Sequence, residues 1–191
     1  MQFFITGIHV NTSEAFRTHV EGEILKLSEH YRLSPLEVKV NVSRPNHVYR
    51  TEVSLHLRRG VYLRSHGEGE SAYNSFDTAL RQLEGRLQRH KERLVAHHKH
   101  QDTPHRYEVA QHYVVDREGE APESAALAPP VIAEMETEVP YLTVSDAVMR
   151  LDLAQETVLL FFNEAHGRLN VVYRRNDGNI GWLDPATKSA P

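Results

Sequence analysis

Cysteine is absent from the 191 residues of this chain, which excludes disulfide bonds and thiolate ligands for metals. No stretch approaches the roughly 20 apolar residues that a membrane-spanning helix needs. The N-terminal residues Met1–Ile5 lack the basic flank and the long apolar run of a secretory signal peptide. We therefore expect a cytoplasmic protein with no membrane partner.

The short motifs of common enzyme classes are also missing. The sequence has no HExxH, no P-loop, no GxSxG and no GxGxxG after a strand. The segment His66–Glu70 superficially resembles a glycine-rich phosphate-binding loop. It lacks the lysine that such a loop uses to bind phosphate, and its two carboxylates would repel phosphate. We interpret this segment as the end of a strand. We expect no catalytic residues, no cofactor and no small-molecule substrate.

Charge is distributed unevenly along the chain, although the formal net charge of −4 is modest. Residues 1–103 contain 15 Lys and Arg residues against 12 Asp and Glu residues, whereas residues 104–191 contain 7 against 14. Ten of the 13 His residues also lie in the first part. This asymmetry predicts two modules that bind different partners.

Hydrophobic periodicity predicts a domain over residues 1–103. Apolar and polar residues alternate along 36–43, 49–58 and 61–64, and a further apolar segment lies at 3–8, so four strands are expected. Alternation with period two also predicts that one face of the sheet is covered and the other faces water.

Two helices are predicted among these strands. The first is capped by Asn11, has one apolar stripe and stops before Pro35. The second begins near Ser71 and continues to about His98. The resulting order βαβββα predicts an α+β fold, with two helices on one face of a four-stranded sheet.

Residues 104–138 lose this periodicity. They contain four prolines and eight carboxylates, which predicts a flexible, self-repelling acidic linker. The alternative for Arg106–Val115 is local pairing as a strand.

Residues 139–191 are predicted to form a small α/β dimerisation domain. A capping box at Thr143–Asp146 indicates a helix, and turns at Asn163–Arg168 and Asp177–Gly178 separate three strands. The run Val158–Phe162 is apolar without alternation, so both of its faces need burial. A domain this small cannot cover both faces alone, so we predict a homodimer. The expected interface residues are Val158, Leu160, Phe161, Phe162, Val171, Tyr173 and Trp182.

An arginine stripe on the second helix is the strongest indication of a binding surface. Arg86, Arg89 and Arg93 follow one helical face away from the leucine stripe, and guanidinium groups suit phosphates. A merely solvated helix face is the alternative. If the stripe binds RNA, the other expected contacts are Arg81, Lys91, Lys39, Arg50, Arg58, Arg59 and Arg64.

A histidine-rich segment, His97–His100 with His105 nearby, invites comparison with a metal site. Carboxylate partners do not occur at a recognisable spacing, and histidine-rich tracts are weak evidence. We therefore interpret the segment as a polar helix end and expect no bound metal.

Motifs at both ends of the chain resemble the long form of the bacterial ribosome hibernation promoting factor family. The N-terminal matches are Ile5–His9 and Ala72–Asp77, the latter leading into Leu83–Leu87. The C-terminal match, Asn170–Gly181 continuing to Leu183–Pro185, is the most specific.

This resemblance implies that the N-terminal domain binds the small ribosomal subunit and its rRNA in the mRNA and tRNA channel and blocks translation. It also implies that the C-terminal domain dimerises and joins two inactive ribosomes. The competing hypothesis is a dimeric RNA-binding or metal-responsive module that acts away from ribosomes.

Overall fold

A computed structural model of the chain describes residues 1–92, 106–116 and 131–185, except for the side chain of Arg59. The predicted site residue Arg93 and the histidine-rich segment 97–105 lie outside the described residues.

The N-terminal domain is a four-stranded sheet in the order β1-β2-β3-β4. Strand β1 runs parallel to β2, and the other two pairs are antiparallel. Helices α1 and α2 pack against one face, where the buried residues of all four strands form a single apolar core with theirs. The predicted βαβββα order and α+β fold are confirmed. The elements are β1 Gln2–Ile8, α1 Glu14–Tyr31, β2 Pro35–Ser43, β3 Tyr49–Leu57, β4 Tyr62–Gly69 and α2 Ala72–Arg89.

The glycine-rich end of β4 has a packing role. A Cβ on Gly67 would lie 2.4 Å from the backbone nitrogen of Ala79 and from the carbonyl oxygen of Ser75, both on α2. Strand β4 continues to Gly69, as expected for a strand end. The glycines therefore allow α2 to lie directly on the sheet.

The predicted start of α1 and the predicted extent of α2 both need correction. Helix α1 is capped by Ser13, whose Oγ accepts from the N–H of Phe16 at 3.2 Å, so the assignment of Asn11 as the cap was wrong by two residues. Helix α2 ends at Arg89, and Lys91 and Glu92 resume helical geometry after His90, so the helix expected to be continuous is interrupted there; its expected end near His98 lies outside the described residues. The His90 side chain contacts Asp152, which is distant along the chain. Such a contact cannot be predicted from the periodicity of one helix.

The C-terminal domain contains a five-stranded sheet in the order β5-β6-β7-β8-β9 and one helix, α3. Strands β6 and β7 are parallel, and the other pairs are antiparallel. Thr143 caps α3 as predicted, because its Oγ1 accepts from the N–H of Asp146 at 3.1 Å. The elements are β5 Tyr107–Val115, β6 Val131–Leu142, α3 Val144–Leu153, β7 Val158–Asn163, β8 Leu169–Arg174 and β9 Ile180–Leu183.

The expected linker 104–138 is partly structured. Residues 107–115 pair with 131–140 as an antiparallel hairpin arm, so the prediction of a flexible segment was wrong for these residues. The alternative of a strand at Arg106–Val115 agrees with the structure. Hydrogen bonds between the two strands satisfy the backbone N–H and C=O groups of these residues. Composition alone suggested that these groups would be hydrated instead.

Helix α3 is buried on two sides. Ala147 and Leu151 belong to the core of the C-terminal domain, whereas Met149 and Leu153 belong to the core of the N-terminal domain. All four side chains are completely buried. The two domains are therefore packed against each other through α3, a contact that the sequence did not indicate.

Candidate nucleic-acid and dimer interfaces

The face of the N-terminal sheet that the helices leave uncovered carries three of the predicted RNA-binding cations. Lys39, Arg50 and Arg64 are exposed and alternate with buried neighbours along β2, β3 and β4. In the strand register Lys39 lies opposite Ser54, and Ser54 lies opposite Arg64. Two cations therefore flank one small side chain in a row across the sheet.

Carboxylates on the same face pair with two of these cations. The Nζ of Lys39 lies 2.5 Å from the Oε1 of Glu37, and the Nε of Arg50 lies 3.6 Å from the Oε1 of Glu52. Exposed ion pairs of this kind contribute at most about 1 kcal/mol. An RNA phosphate can therefore replace either carboxylate at little cost.

An aromatic pair completes this open sheet face. The rings of His56 and Tyr62 stack with centroids 4.5 Å apart and planes 6° from parallel, and the guanidinium carbon of Arg64 lies 5.5 Å from the Tyr62 ring centroid. Flat rings beside a guanidinium group are typical of surfaces that stack unpaired bases. Sequence analysis missed this pair, although the hairpin register of β3 and β4 would have brought the two residues together.

The arginines of α2 do not form one exposed stripe. Arg81 is exposed and donates to the carbonyl oxygen of Asp77 and the hydroxyl of Thr78. Arg86 is only 9% exposed, and its Nη1 donates to the carbonyl oxygen of Arg64 at 2.6 Å. The prediction that Arg86 continues a phosphate-binding stripe was wrong, because this residue flanks the leucine face of the helix and is covered from that side.

Burial lowers the pKa of the Arg86 guanidinium, and the nearby carboxylate of Asp152 opposes that change. An arginine nevertheless stays protonated in a protein. The buried positive charge is therefore stabilised by a carbonyl oxygen and by an acidic group on α3.

Asp152 is the acidic centre of the contact between the domains. Its Oδ2 lies 2.9 Å from the Nε2 of His90 and 3.3 Å from the Nη2 of Arg89, and its Oδ1 lies 3.1 Å from the Nη2 of Arg174. Burial raises the pKa of this carboxyl, but the hydrogen bonds from His90 and Arg174 and the charge of Arg89 outweigh burial and hold the pKa below its usual value. Asp152 therefore remains charged.

The remaining predicted RNA contacts are only partly defined. Arg58 lies in a short 3-10 turn between β3 and β4 and is exposed, as is Lys91 after α2. The side chain of Arg59 and the whole of Arg93 lie outside what the structure describes.

A second candidate interface is the face of the C-terminal sheet opposite α3. Val158 lies opposite Tyr173, and Leu160 lies opposite Val171, while the Phe162 ring stacks on Tyr141 with centroids 4.9 Å apart. Val158 is 54% exposed. These outward-facing side chains form a continuous apolar surface, which we call the outward face. The opposite face of the same sheet is already packed against α3.

Two predicted dimer residues do not belong to the outward face. Phe161 is completely buried in the core under α3, because neighbouring residues of a strand point to opposite sides. Trp182 lies opposite the buried Val172 and therefore on the α3 side. The assignment of Phe161 was wrong, whereas that of Trp182, which is 50% exposed at the edge of the sheet, stays a prediction. Leu169 and Leu183 were missed, although strand alternation could have identified them; they are 41% and 54% exposed.

The motif around Asn170 builds a buried hydrogen-bond network. The Oδ1 of Asn170 accepts from the Nδ2 of Asn163 at 3.0 Å and from the Nε1 of Trp182 at 2.9 Å, while its Nδ2 donates to Asp184 at 3.0 Å. Asn170 is completely buried. This network fixes three strands relative to one another and so shapes the outward face.

Among the described residues there is no cluster of His, Asp and Glu that could hold a metal ion. No helix in that part of the chain is long and apolar enough to cross a membrane.

Comparison with known proteins assigns both parts of the chain. Residues 3–95 match the family described as sigma 54 modulation protein / S30EA ribosomal protein, and residues 126–181 match the C-terminal domain of the same family. The ribosome hibernation promotion factor of Rhizobium meliloti is 33% identical over 100% of both chains. That of Bradyrhizobium diazoefficiens is 35% identical over 97% of this chain and 95% of its own.

A shorter relative matches only about half of the chain. The ribosome hibernation promoting factor of Salmonella typhimurium is 31% identical over 98 residues, which are 51% of this chain and 100% of the relative. The full-length identities and the two matched domains, in the same order, show that this chain belongs to the ribosome hibernation promotion factor family.

Proposed function

We propose that this chain is a cytoplasmic, non-catalytic ribosome hibernation factor. Its N-terminal domain binds the small ribosomal subunit in the channel used by mRNA and tRNA and blocks translation. Its C-terminal domain pairs two copies of the chain and thereby two ribosomes. The observation that carries this proposal is the presence of two different surfaces on one chain: a sheet face that combines three exposed cations with a stacked aromatic pair, and an apolar sheet face.

The open sheet face suits structured RNA. Lys39, Arg50 and Arg64 neutralise phosphates, which positions a protein without reading base sequence. The ring of Tyr62 offers a stacking surface for an unpaired base. The exposed ion pairs on this face are weak, so several phosphates that contact it together bind better than a single anion. An rRNA channel presents such a dense array of phosphates.

The outward face suits a second copy of the same chain. Its exposed apolar residues lie on neighbouring strands, and large contiguous apolar patches mark interaction sites. A two-fold pairing places this surface against itself, as in most homodimers. The Tyr173 ring covers Gly181, where a Cβ would lie 2.3 Å from a ring carbon, so the surface has a defined shape.

Sucrose-gradient sedimentation of ribosomes with the full-length protein tests both halves of the proposal. We expect the wild-type chain to bind small subunits and to produce paired ribosomes. The variant Lys39→Glu with Arg50→Glu should lose subunit binding while remaining a dimer. The variant Leu160→Asp with Val171→Asp should bind subunits but fail to pair them.

Matched control variants change the same properties elsewhere on the surface. Arg17→Glu with Lys26→Glu reverses two exposed charges on α1 and should bind normally. Leu25→Asp with Val48→Asp alters two exposed apolar residues and should still pair ribosomes. Full subunit binding by the Lys39 and Arg50 variant would refute the assigned RNA face. Equally tight binding of the wild type to unrelated structured RNA would favour a module that acts away from ribosomes.

A further inference from the structure

The contact between the two domains covers part of the proposed RNA-binding surface. Helix α3 packs on β4, the edge strand of the N-terminal sheet, and on the end of α2. Arg64 lies on that edge strand, and Arg89 lies in the last turn of that helix. Both residues are among the cations that the sequence predicts to bind RNA.

Carboxylates of the C-terminal domain pair with these two cations. Asp152 accepts from Arg89 at 3.3 Å and lies 2.9 Å from the Nε2 of His90. The Oε1 of Glu156 accepts from the Nη1 of Arg64 at 3.4 Å. Two carboxylates therefore stand where RNA phosphates would bind, at the same guanidinium groups.

The neighbouring contacts extend the same coverage along β4. The Nδ1 of His66 lies 3.4 Å from the Oε1 of Gln155, and His66 is on the open sheet face two residues beyond Arg64. The charges of Asp152 and Arg174 also act on the pKa of the Arg86 guanidinium group. Separating the domains would return these groups to the surface that faces RNA.

We propose that the docked C-terminal domain is an internal competitor for RNA, with Asp152 and Glu156 acting in place of phosphates. The chain then alternates between a closed form, in which Asp152 pairs with Arg89 and His90 and Glu156 pairs with Arg64, and an open form that presents these groups to the small ribosomal subunit. This inference rests on the proposed function, since it assigns a regulation to the same surface.

Docking leaves the outward face accessible. That face lies on the side of the C-terminal sheet opposite α3, and its residues Val158 and Leu183 are each 54% exposed while the domains are packed. Two copies can therefore pair in the closed form. The device restrains RNA binding without preventing self-association.

The first test compares the affinity of full-length variants for small ribosomal subunits. Asp152→Asn with Glu156→Gln keeps the shape of both side chains and removes their charge. We expect this variant to bind roughly three- to thirtyfold tighter than wild type, the range for losing two partly exposed ion pairs in the competing form. Removal of any two acidic charges favours RNA binding, so a control is needed.

The control is Glu134→Gln with Glu164→Gln. Both residues are exposed on the C-terminal domain, and the change in net charge is identical. The inference requires the Asp152 and Glu156 variant to bind several-fold tighter than this control. Equal affinities would overturn it while leaving the proposed function in place.

A second test follows the docking itself and does not depend on the variant's affinity. Because the chain has no cysteine, Glu21→Cys and Glu164→Cys introduce two unique labelling sites, one exposed on each domain. Energy transfer between dyes at these sites should fall when small subunits are added to saturation. Unchanged transfer at full binding would overturn the inference. Failure of the wild type and all variants to bind subunits would instead refute the proposed function, and the inference with it.

Discussion

Truncation of Met149 should loosen the contact between the domains without unfolding either one. The side chain is completely buried in the N-terminal core although it belongs to α3. Met149→Ala removes three heavy atoms, and such large-to-small changes cost about 2 to 5 kcal/mol. We take about 2.5 kcal/mol, toward the lower end, because separated domains can relax around the gap.

A loss of about 2.5 kcal/mol raises the open population about 60-fold, since 1.4 kcal/mol corresponds to a factor of ten. Amide hydrogen exchange measures this population directly. The N–H of His90 donates to the carbonyl oxygens of Arg86 and Leu87 in the last turn of α2, and it should exchange faster by up to that factor, because this helix end frays once α3 has left it. Neighbouring amides of β4 should follow the same trend.

Leu151→Ala is the matched comparison on the same helix. Leu151 is also completely buried, but in the core of the C-terminal domain. Its truncation should accelerate exchange in β7 and β8 and leave the last turn of α2 nearly unchanged. Similar effects of both variants on His90, or no effect of Met149→Ala there, would refute the assignment of Met149 to the interdomain contact.

Three further changes test other parts of the structure. Gly181→Ala should displace the Tyr173 ring, given the 2.3 Å approach, and weaken self-association; an unchanged dimer constant in sedimentation equilibrium would contradict this. Asn170→Leu should lower the free energy of unfolding by about 1 to 3 kcal/mol, because it leaves buried polar partners unsatisfied; denaturation followed by the fluorescence of Trp182, the single tryptophan, measures it. The pKa of Asp152 is held below 3.8 in the folded chain, so its charge stabilises the protein above that pH and the contribution is lost as pH falls further. The stability difference between wild type and Asp152→Asn should therefore shrink as the pH falls below 3.8.

Local sequence patterns were sufficient for most of the N-terminal fold. Strand β3 was placed nearly to the residue because one face is buried and the other faces water, which imposes strict alternation. The cap of α1 was misplaced because Asn11 and Ser13 are equally suitable by residue type, and only the backbone geometry selects between them.

The errors in the candidate sites have a different origin. Arg86 was expected to bind phosphate because its charge is visible in the sequence, whereas its burial depends on packing beside the leucine face and on β4, where it donates to the carbonyl oxygen of Arg64, 22 residues away along the chain. Phe161 was assigned to the dimer face because an apolar run without alternation does not reveal which residue points to which side. In both cases the missing information was the identity of the covering element.

The composition of the interdomain contact bears on whether it can open. Burial of Met149 and Leu153 contributes about 3 to 6 kcal/mol together, before the cost of ordering the contact is subtracted. Asp152 is 16% exposed and Arg89 63% exposed by side chain, so both charges keep part of their hydration and add little. RNA that binds only the open form shifts the equilibrium by RT ln(1 + c/Kd), where c is the RNA concentration; this is about 2.7 kcal/mol when c is about 100 times Kd and about 4.1 kcal/mol when c is about 1,000 times Kd. RNA can therefore compete with a contact held mainly by two apolar side chains, and substitutions at Met149 or Leu153 should tune the balance more strongly than substitutions at Arg89.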